Sequence, residues 1–166
     1  MKYCPQCREP MHARQNSGTT SFVCESETCD FVHWTNPIPV VAGLVEFDGK
    51  FILGRNAAWP EGRFSMFTGF LETGESPESG IVREVEEEIG LETSVTLFLG
   101  HFPLPRFNQL IIAFALQSRG KLRLSPEIPE VKFVTPAQLQ VYDFGPFTLT
   151  KEVVNKWKRL TQSLSE

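Results

Sequence analysis

Gly69 to Leu91 read GFLETGESPESGIVREVEEEIGL, a stretch in which seven glutamates stand against one arginine, Arg83. Its formal charge of −6 exceeds the −4 of the whole 166-residue chain, so everything outside it sums to +2. Acidity gathered this tightly needs a reason, because like charges three and four apart on a helix repel by about 0.2–0.5 kcal/mol per pair. A bound divalent cation supplies one; a solvated acidic face is the plain alternative. The stretch predicts a helix from about Ser76 or Pro77 to Ile89, with Pro77 in the first turn, Glu78 beside the positive end and Gly90 as the stop. At about 100° per residue Glu84, Glu87 and Glu88 share one arc, while Ile81, Val82, Val85 and Ile89 occupy another. One face suits a core and the other cations.

Carboxylate oxygens are hard ligands suited to magnesium, manganese or calcium, and magnesium is typically held by one or two carboxylates together with substrate phosphates. The arrangement therefore points to a phosphorylated substrate. A polyanionic diphosphate repels an attacking water, and cations cancel that repulsion while lowering the water's pKa. Positioning and charge stabilisation then do most of what phosphoryl chemistry needs. No Ser-His-Asp or Cys-His arrangement stands out, and the phosphate loop ending in Gly-Lys-Ser/Thr is absent.

Gly69, Glu75, Arg83, Glu84, Val85, Glu87, Glu88, Gly90 and Leu91 stand at the spacing of the Nudix box, and on these residues the chain resembles the Nudix hydrolases. Seven of these positions are fixed identities, which coincide by chance on the order of once in a million or less. The resemblance implies an α/β fold, the Nudix α/β/α sandwich with a mixed sheet, and metal-dependent hydrolysis of a nucleoside diphosphate linked to another moiety. It implies Glu84, Glu87 and Glu88 as ligands of magnesium or manganese, the Gly69 carbonyl as a further one, and Arg83 as the residue that orients the catalytic carboxylates. Glu75 resembles the glutamate tying the loop to the helix, as a stabilising or a participating residue. Glu84 is the first candidate for general base and a later-loop glutamate the second. Glu127 and Glu130 resemble the later glutamates from which related hydrolases draw an extra ligand or base, with solvated loop acids as the alternative for each.

The second constellation uses all four cysteines of the chain: Cys4-Pro5-Gln6-Cys7, then Cys24 and Cys29. Two short cysteine knuckles at this separation read as a tetrahedral structural zinc site, a small β zinc ribbon over 1–35, with two disulfides the main alternative. Four thiolates leave no position for catalytic water. His12 and His33 are read as ordinary surface or packing residues. A module this small buries too little apolar surface to fold alone, so the metal's binding energy becomes folding energy.

Trp34 to Pro39, with two prolines one residue apart, predicts an extended crossing into a second domain over 36–166. There Val40 to Phe47 and Phe51 to Arg55 read as strands around the Asp48-Gly49 turn. Further strands are expected over Phe64 to Phe67, Val95 to Phe102, Gln109 to Leu116 and Val131 to Val134. A short helix should open at Thr135-Pro136 and a terminal one run from Phe147 to about Leu160. The four-cysteine ribbon before the box and the run Phe64-Ser65-Met66-Phe67-Thr68-Gly69-Phe70-Leu71-Glu72 are similar to the NADH pyrophosphatases. Their downstream Ser-Gln-Pro-Trp-Pro-Phe-Pro-x-Ser is replaced by His101 to Gln109, where only the two prolines match. That segment still reads as a substrate wall: Phe102 and Phe107 as stacking surfaces and Arg106 facing phosphate or a base edge, against packing in a core as the alternative for each phenylalanine.

The composition expects a cytoplasmic protein without a leader or spanning segment, a homodimer by symmetry frequency, and a small-molecule nucleotide substrate. Net charge −4 and pI near 5.5 argue against a general nucleic-acid coat. The competing class is a nucleotide-sensing regulatory or nucleic-acid-binding module on a Nudix-like domain. Such a sensor has no need of three helix-face carboxylates plus Arg83.

Overall fold

The computed structural model describes residues 1–16 and 18–163. It divides at Pro37/Ile38 into two compact units. The first is a three-stranded antiparallel sheet of β1 (Met11–Asn16), β2 (Thr19–Cys24) and β3 (Val32–Trp34), with β2 central. The segment before β1 folds back through a Cys4 amide bond to the Glu9 carbonyl and an Arg8 amide bond to the Cys4 carbonyl, with Arg8 at φ 66°. A second tight bend joins β2 to β3, where the Cys29 amide donates to the Ser26 carbonyl.

The second unit is a mixed six-stranded sheet of β4 (Ile38–Phe47), β5 (Lys50–Arg55), β6 (Phe67–Phe70), β7 (Glu92–Leu104), β8 (Gln109–Arg119) and β9 (Glu130–Val134). Its order is β7-β8-β4-β5-β9, with β6 also on β4. β4 lies parallel to β8 and antiparallel to β5 and β6. Covered on both faces, β4 carries the uninterrupted apolar run Val40 to Val45 that a central strand requires. Val40, Ala42 and Leu44 face one core with Phe51, Leu99, Val153 and Val154, beneath α2 (Pro136–Val141) and α3 (Thr148–Ser163). Val41 and Val45 face the other with Ile81, Val85 and Ile89 of α1 (Pro77–Ile89). Helices thus cover both sides of the sheet, as the α/β/α expectation requires. Asp48 and Gly49, both at positive φ, make the β4–β5 turn.

One edge of β4 receives two strands. Val45 to Phe47 pair with β5 while Val40 to Gly43 pair with β6, so a notch opens between them, closed only by the mutual backbone bonds of Gly54 and Ser65. This corrects the expected strand Phe64 to Phe67: the ladder is made by Phe67 to Phe70, because these residues oppose β4, whereas Phe64 is drawn into the core. The segment Phe102 to Asn108, expected to form the substrate wall, is part strand and part turn. Pairs Phe102–Ile111 to Leu104–Gln109 extend β7, and only Pro105–Phe107 turn, as one 3₁₀ turn ending at Asn108 in the left-handed region. Pro103 is tolerated because β7 is an edge strand. Among the described residues no helix is long and apolar enough to cross a membrane.

Candidate active site

The site is built on the loop between β6 and α1 and on one face of that helix. Ser76 caps α1 by accepting from the Ser79 amide, the Ser79 hydroxyl accepts from the Ser76 amide, and Gly90 closes the other end at φ 70°. Fixed at both ends, the helix presents Arg83 toward the loop. Its guanidinium gives Glu75 two bonds of 2.7 and 3.1 Å, Glu84 one of 2.9 Å, Glu87 one of 3.1 Å and the Phe70 carbonyl one of 3.1 Å. Glu75 also accepts from the Glu72 amide at 3.0 Å. One cation thereby ties the loop to the helix and sets two carboxylates in place. These bonds hold the Glu75 carboxyl below its usual range, and Glu75 is in turn the chief cause that raises the Arg83 guanidinium.

Gly69 is dictated by close approach. A Cβ built there would lie 1.8 Å from Cδ of Glu84, so the carboxylate occupies the space a side chain would need. Glu84, Glu87, Glu88 and Glu127 line a single cavity of about 230 Å³ together with Ser125 and Pro126. Four carboxylates of the expected ligand set thus share one cavity, while Gly69 stands behind Glu84 and is not on its wall. Glu130 does not join it and instead pairs with Arg55 at 3.0 Å.

Glu88 departs from the expectation of an open acidic face. It is only 8% exposed, and its Oε2 is buried with no hydrogen-bond partner. Burial first, then the neighbouring Glu84, Glu127 and Glu87, push its carboxyl up to about 8. Glu84 is raised as well, by burial first and then by Glu87 and Glu75, against the pull of Arg83. The Ser125 hydroxyl, which no motif singled out, is among the described residues the other buried side-chain oxygen without a partner. Two unsatisfied oxygens on the wall of one carboxylate-lined cavity are costly unless a cation or its water meets them. The donor set is hard oxygen, so the residues fit a divalent metal ion of the magnesium or manganese kind.

An effect on stability follows. The unfolded chain loses the Glu88 proton near the ordinary glutamate value of 4.5, whereas the folded chain keeps it to about 8. Between these values the folded state binds more protons, so stability falls as pH rises through that window. In buffer without added magnesium or manganese, denaturant midpoints at pH 5 and 8 should show the decline, and Glu88→Gln should remove at least about 2 kcal/mol of the difference.

The three residues of the expected substrate wall separate. Phe107 lines an apolar cleft of about 200 Å³, on which Trp59, Met66 and Phe147 also stand. Arg106 lies over the Phe107 ring at 5.4 Å. Phe102 packs against the core beneath α3 and is absent from that cleft. In the first unit the Cys4 and Cys29 sulfurs are 3.8 Å apart and those of Cys7 and Cys24 3.4 Å, all four lying within 4.8 Å. Sulfurs about 2.3 Å from a tetrahedral centre stand roughly 3.8 Å apart, so the cluster is arranged to hold a metal ion.

Known proteins share the family and fold of this chain. A NUDIX domain is matched over residues 36–154. The NAD-capped RNA hydrolase NudC of Vibrio atlanticus is 28% identical over 131 residues, 79% of this chain and 47% of that protein. The mitochondrial NAD(P)H pyrophosphatase NUDT13 of Homo sapiens is 28% identical over 133 residues, 79% of this chain and 37% of that protein. The chain thus spans less than half the length of these curated relatives. A crystal structure of a NUDIX hydrolase from Nitrosomonas europaea shares the fold at a TM-score of 0.78, with 23% identity over 93% of this chain and 88% of that one. With the domain match covering most of the chain and the box residues gathered around one carboxylate-lined cavity, the chain belongs to the NUDIX hydrolase family.

Proposed function

We propose that this chain hydrolyses the diphosphate bridge of a nucleoside diphosphate linked to a second moiety, such as NADH, ADP-ribose, FAD or a nucleotide sugar. The observation that carries the reading is the cavity shared by Glu84, Glu87, Glu88 and Glu127, with its orphaned Glu88 oxygen. Glu84, Glu87 and Glu88 would hold magnesium or manganese, with Glu127 and the Gly69 carbonyl as further ligands. Bound there, the ions would neutralise diphosphate charge and lower the pKa of the attacking water. Arg83 holds Glu84 and Glu87 in position from the side of the loop. Glu84, whose carboxyl is raised by burial, would take the water's proton, with Glu127 the second candidate. The cysteine cluster would hold zinc in a structural role. A symmetric homodimer in a reducing cytoplasm completes the reading, and its support is the four free thiols and the frequency of such symmetry.

Water attacks one phosphorus of the P–O–P bridge, the bridging oxygen leaves with the other phosphate, and a dinucleotide yields two monophosphates. Hydrolysis in ¹⁸O-labelled water, with mass spectrometry of both products, identifies the phosphorus attacked. Free orthophosphate as the primary product, or no turnover of any diphosphate-linked nucleotide with any divalent ion, would count against this function and favour a ligand-sensing domain. Gly69→Ala provides a geometric check. Displacing the Glu84 carboxylate by more than 1 Å should cost about a hundredfold in kcat, with thermal stability lowered far less than by a core truncation. Wild-type turnover in that variant would show that the Glu84 position is immaterial.

A further inference from the structure

The segment that brings Glu127 to the carboxylate-lined cavity is fastened to the end of α1. The Arg123 amide donates to the Ile89 carbonyl and the Ser125 amide to the Glu88 carbonyl, both at 2.8 Å, so two of the carbonyls that a helix leaves unpaired at its C-terminus are met by a distant stretch of chain. The Ile128 amide returns to the Ser125 carbonyl at 3.1 Å, and the Glu127 carbonyl accepts from the Ala57 amide at 2.8 Å. These bonds fix the turn through its backbone. The Ser125 side chain takes no part in them, and alanine at this position would make the same ones.

The Ser125 residue lines the cavity, and its hydroxyl oxygen is buried there without a partner. The Glu88 Oε2 is in the same condition, so the two oxygens do not bond one another. A buried hydroxyl left unmatched is a net cost that alanine avoids, and it is offset only if something entering the cavity meets it. With an ion bound, the carboxylates of Glu84, Glu87, Glu88 and Glu127 are ionised and only accept, and the Pro126 side chain neither donates nor accepts. Ser125 is then, among the described residues on the wall, the one side chain able to donate as well as accept. About 230 Å³ is more than a bare ion fills, at roughly 30 Å³ for each water, and magnesium keeps several of its waters when it binds. A hydroxyl can turn to meet either a proton or a lone pair of such a water. It does so without adding a fifth negative charge to the cavity.

We propose that Ser125 is a positioning residue for the metal: its hydroxyl holds a water carried by the divalent ion in the cavity that Glu88 lines. The proposal rests on reading that cavity as the metal site of the diphosphatase. It gives a share of the affinity for the ion to a residue outside the box and outside the expected ligand set. Because the Ser125 amide is bonded to the Glu88 carbonyl, the group that holds the water and the carboxylate that holds the ion are set from one joint in the backbone. Groups that act on a metal through its ligands or waters commonly contribute as much as tenfold to affinity.

Ser125→Ala removes the hydroxyl and keeps the backbone bonds. Manganese alone, with no nucleotide present, is the probe, and electron paramagnetic resonance of the unbound ion gives the affinity. Ser125→Ala should bind manganese about tenfold more weakly than wild type. Thermal unfolding of the same preparations separates this role from a structural one. Without manganese, Ser125→Ala should unfold at the wild-type temperature or above it, because an unmatched polar group has been removed, and added manganese should raise its midpoint by less than it raises that of wild type. Unchanged manganese affinity in Ser125→Ala, or weaker affinity accompanied by a lowered midpoint without the ion, would overturn the proposal. Hydrolysis is scored apart. Manganese binding that weakens in Ser125→Ala, with no diphosphate-linked nucleotide turned over by wild type, leaves Ser125 in its role and removes the diphosphatase reading; hydrolysis by wild type with affinity unchanged in Ser125→Ala does the reverse.

Discussion

Glu87→Gln and Glu88→Gln are each expected to lower kcat by about 10²–10⁴-fold while the protein stays folded, and Glu86→Gln to leave it within about twofold. The three sites are adjacent on α1 but stand in different surroundings. Glu87 is largely exposed and accepts a hydrogen bond from Arg83, so losing its charge opens no cavity. Glu86 is exposed and outside the carboxylate-lined cavity. Glu88 is buried with an unsatisfied oxygen, and glutamine fills the same volume without a titrating proton. Its two effects should therefore have opposite signs: turnover collapses, while stability at pH 8 without added divalent ions rises. Steady-state kinetics at saturating magnesium and denaturant unfolding of the same preparations check both. Near wild-type turnover in both ligand variants would move the metals elsewhere.

Freshly purified protein should carry one equivalent of zinc, and Cys24→Ser should lose it and unfold β1 to β3 while β4 to β9 persist. Cys4 and Cys24 are buried against a sheet of only three strands, too small to hold itself by apolar burial. Structural zinc contributes about 10–16 kcal/mol of apparent binding energy to such modules, so losing a ligand removes most of what folds it. Elemental analysis gives the stoichiometry. Hydrogen exchange should show amide protection lost across residues 1–37 and kept in the sheet around β4. Less than about half an equivalent, with two disulfides found by mass spectrometry, would refute the zinc assignment.

The parts legible in the sequence are those whose cause is local. Ser76, Pro77 and Gly90 bound α1 by capping, and Asp48-Gly49 sets a two-residue turn, because each depends on backbone preferences within a few residues. Helical spacing also brought Glu84, Glu87 and Glu88 to one side. It did not reveal that Glu88 is buried, because that depends on Ser125, Pro126 and Glu127 arriving from a distant segment. Strand ends were misplaced for the same reason: Phe67 to Phe70 is a strand only because β4 opposes it. The aromatic cleft was hardest to foresee. Phe107 could be picked from its proline-flanked segment, but Trp59, Ser65 and Thr150 come from separate stretches, and none carries a motif.

The parallel pairing of β4 with β8 joins partners about seventy residues apart over ten consecutive registers, from Ile38–Gln109 to Phe47–Ser118. It is the seam on which both helical layers rest, and it cannot close until the intervening chain has been drawn in against its loop entropy. Contacts of such separation put refolding of the sheet toward the slow end of small mixed domains. The hairpins of the first unit, by contrast, pair residues close to the turn, from Met11–Cys24 inward to Asn16–Thr19, so their folding would wait on a metal at the cysteines rather than on topology. Diluted from denaturant, the chain should regain its two units on separate clocks. If zinc is the ion the cysteines hold, the rate of the first should rise with zinc concentration and that of the second should not, and a stage with only one unit folded should be observable between them.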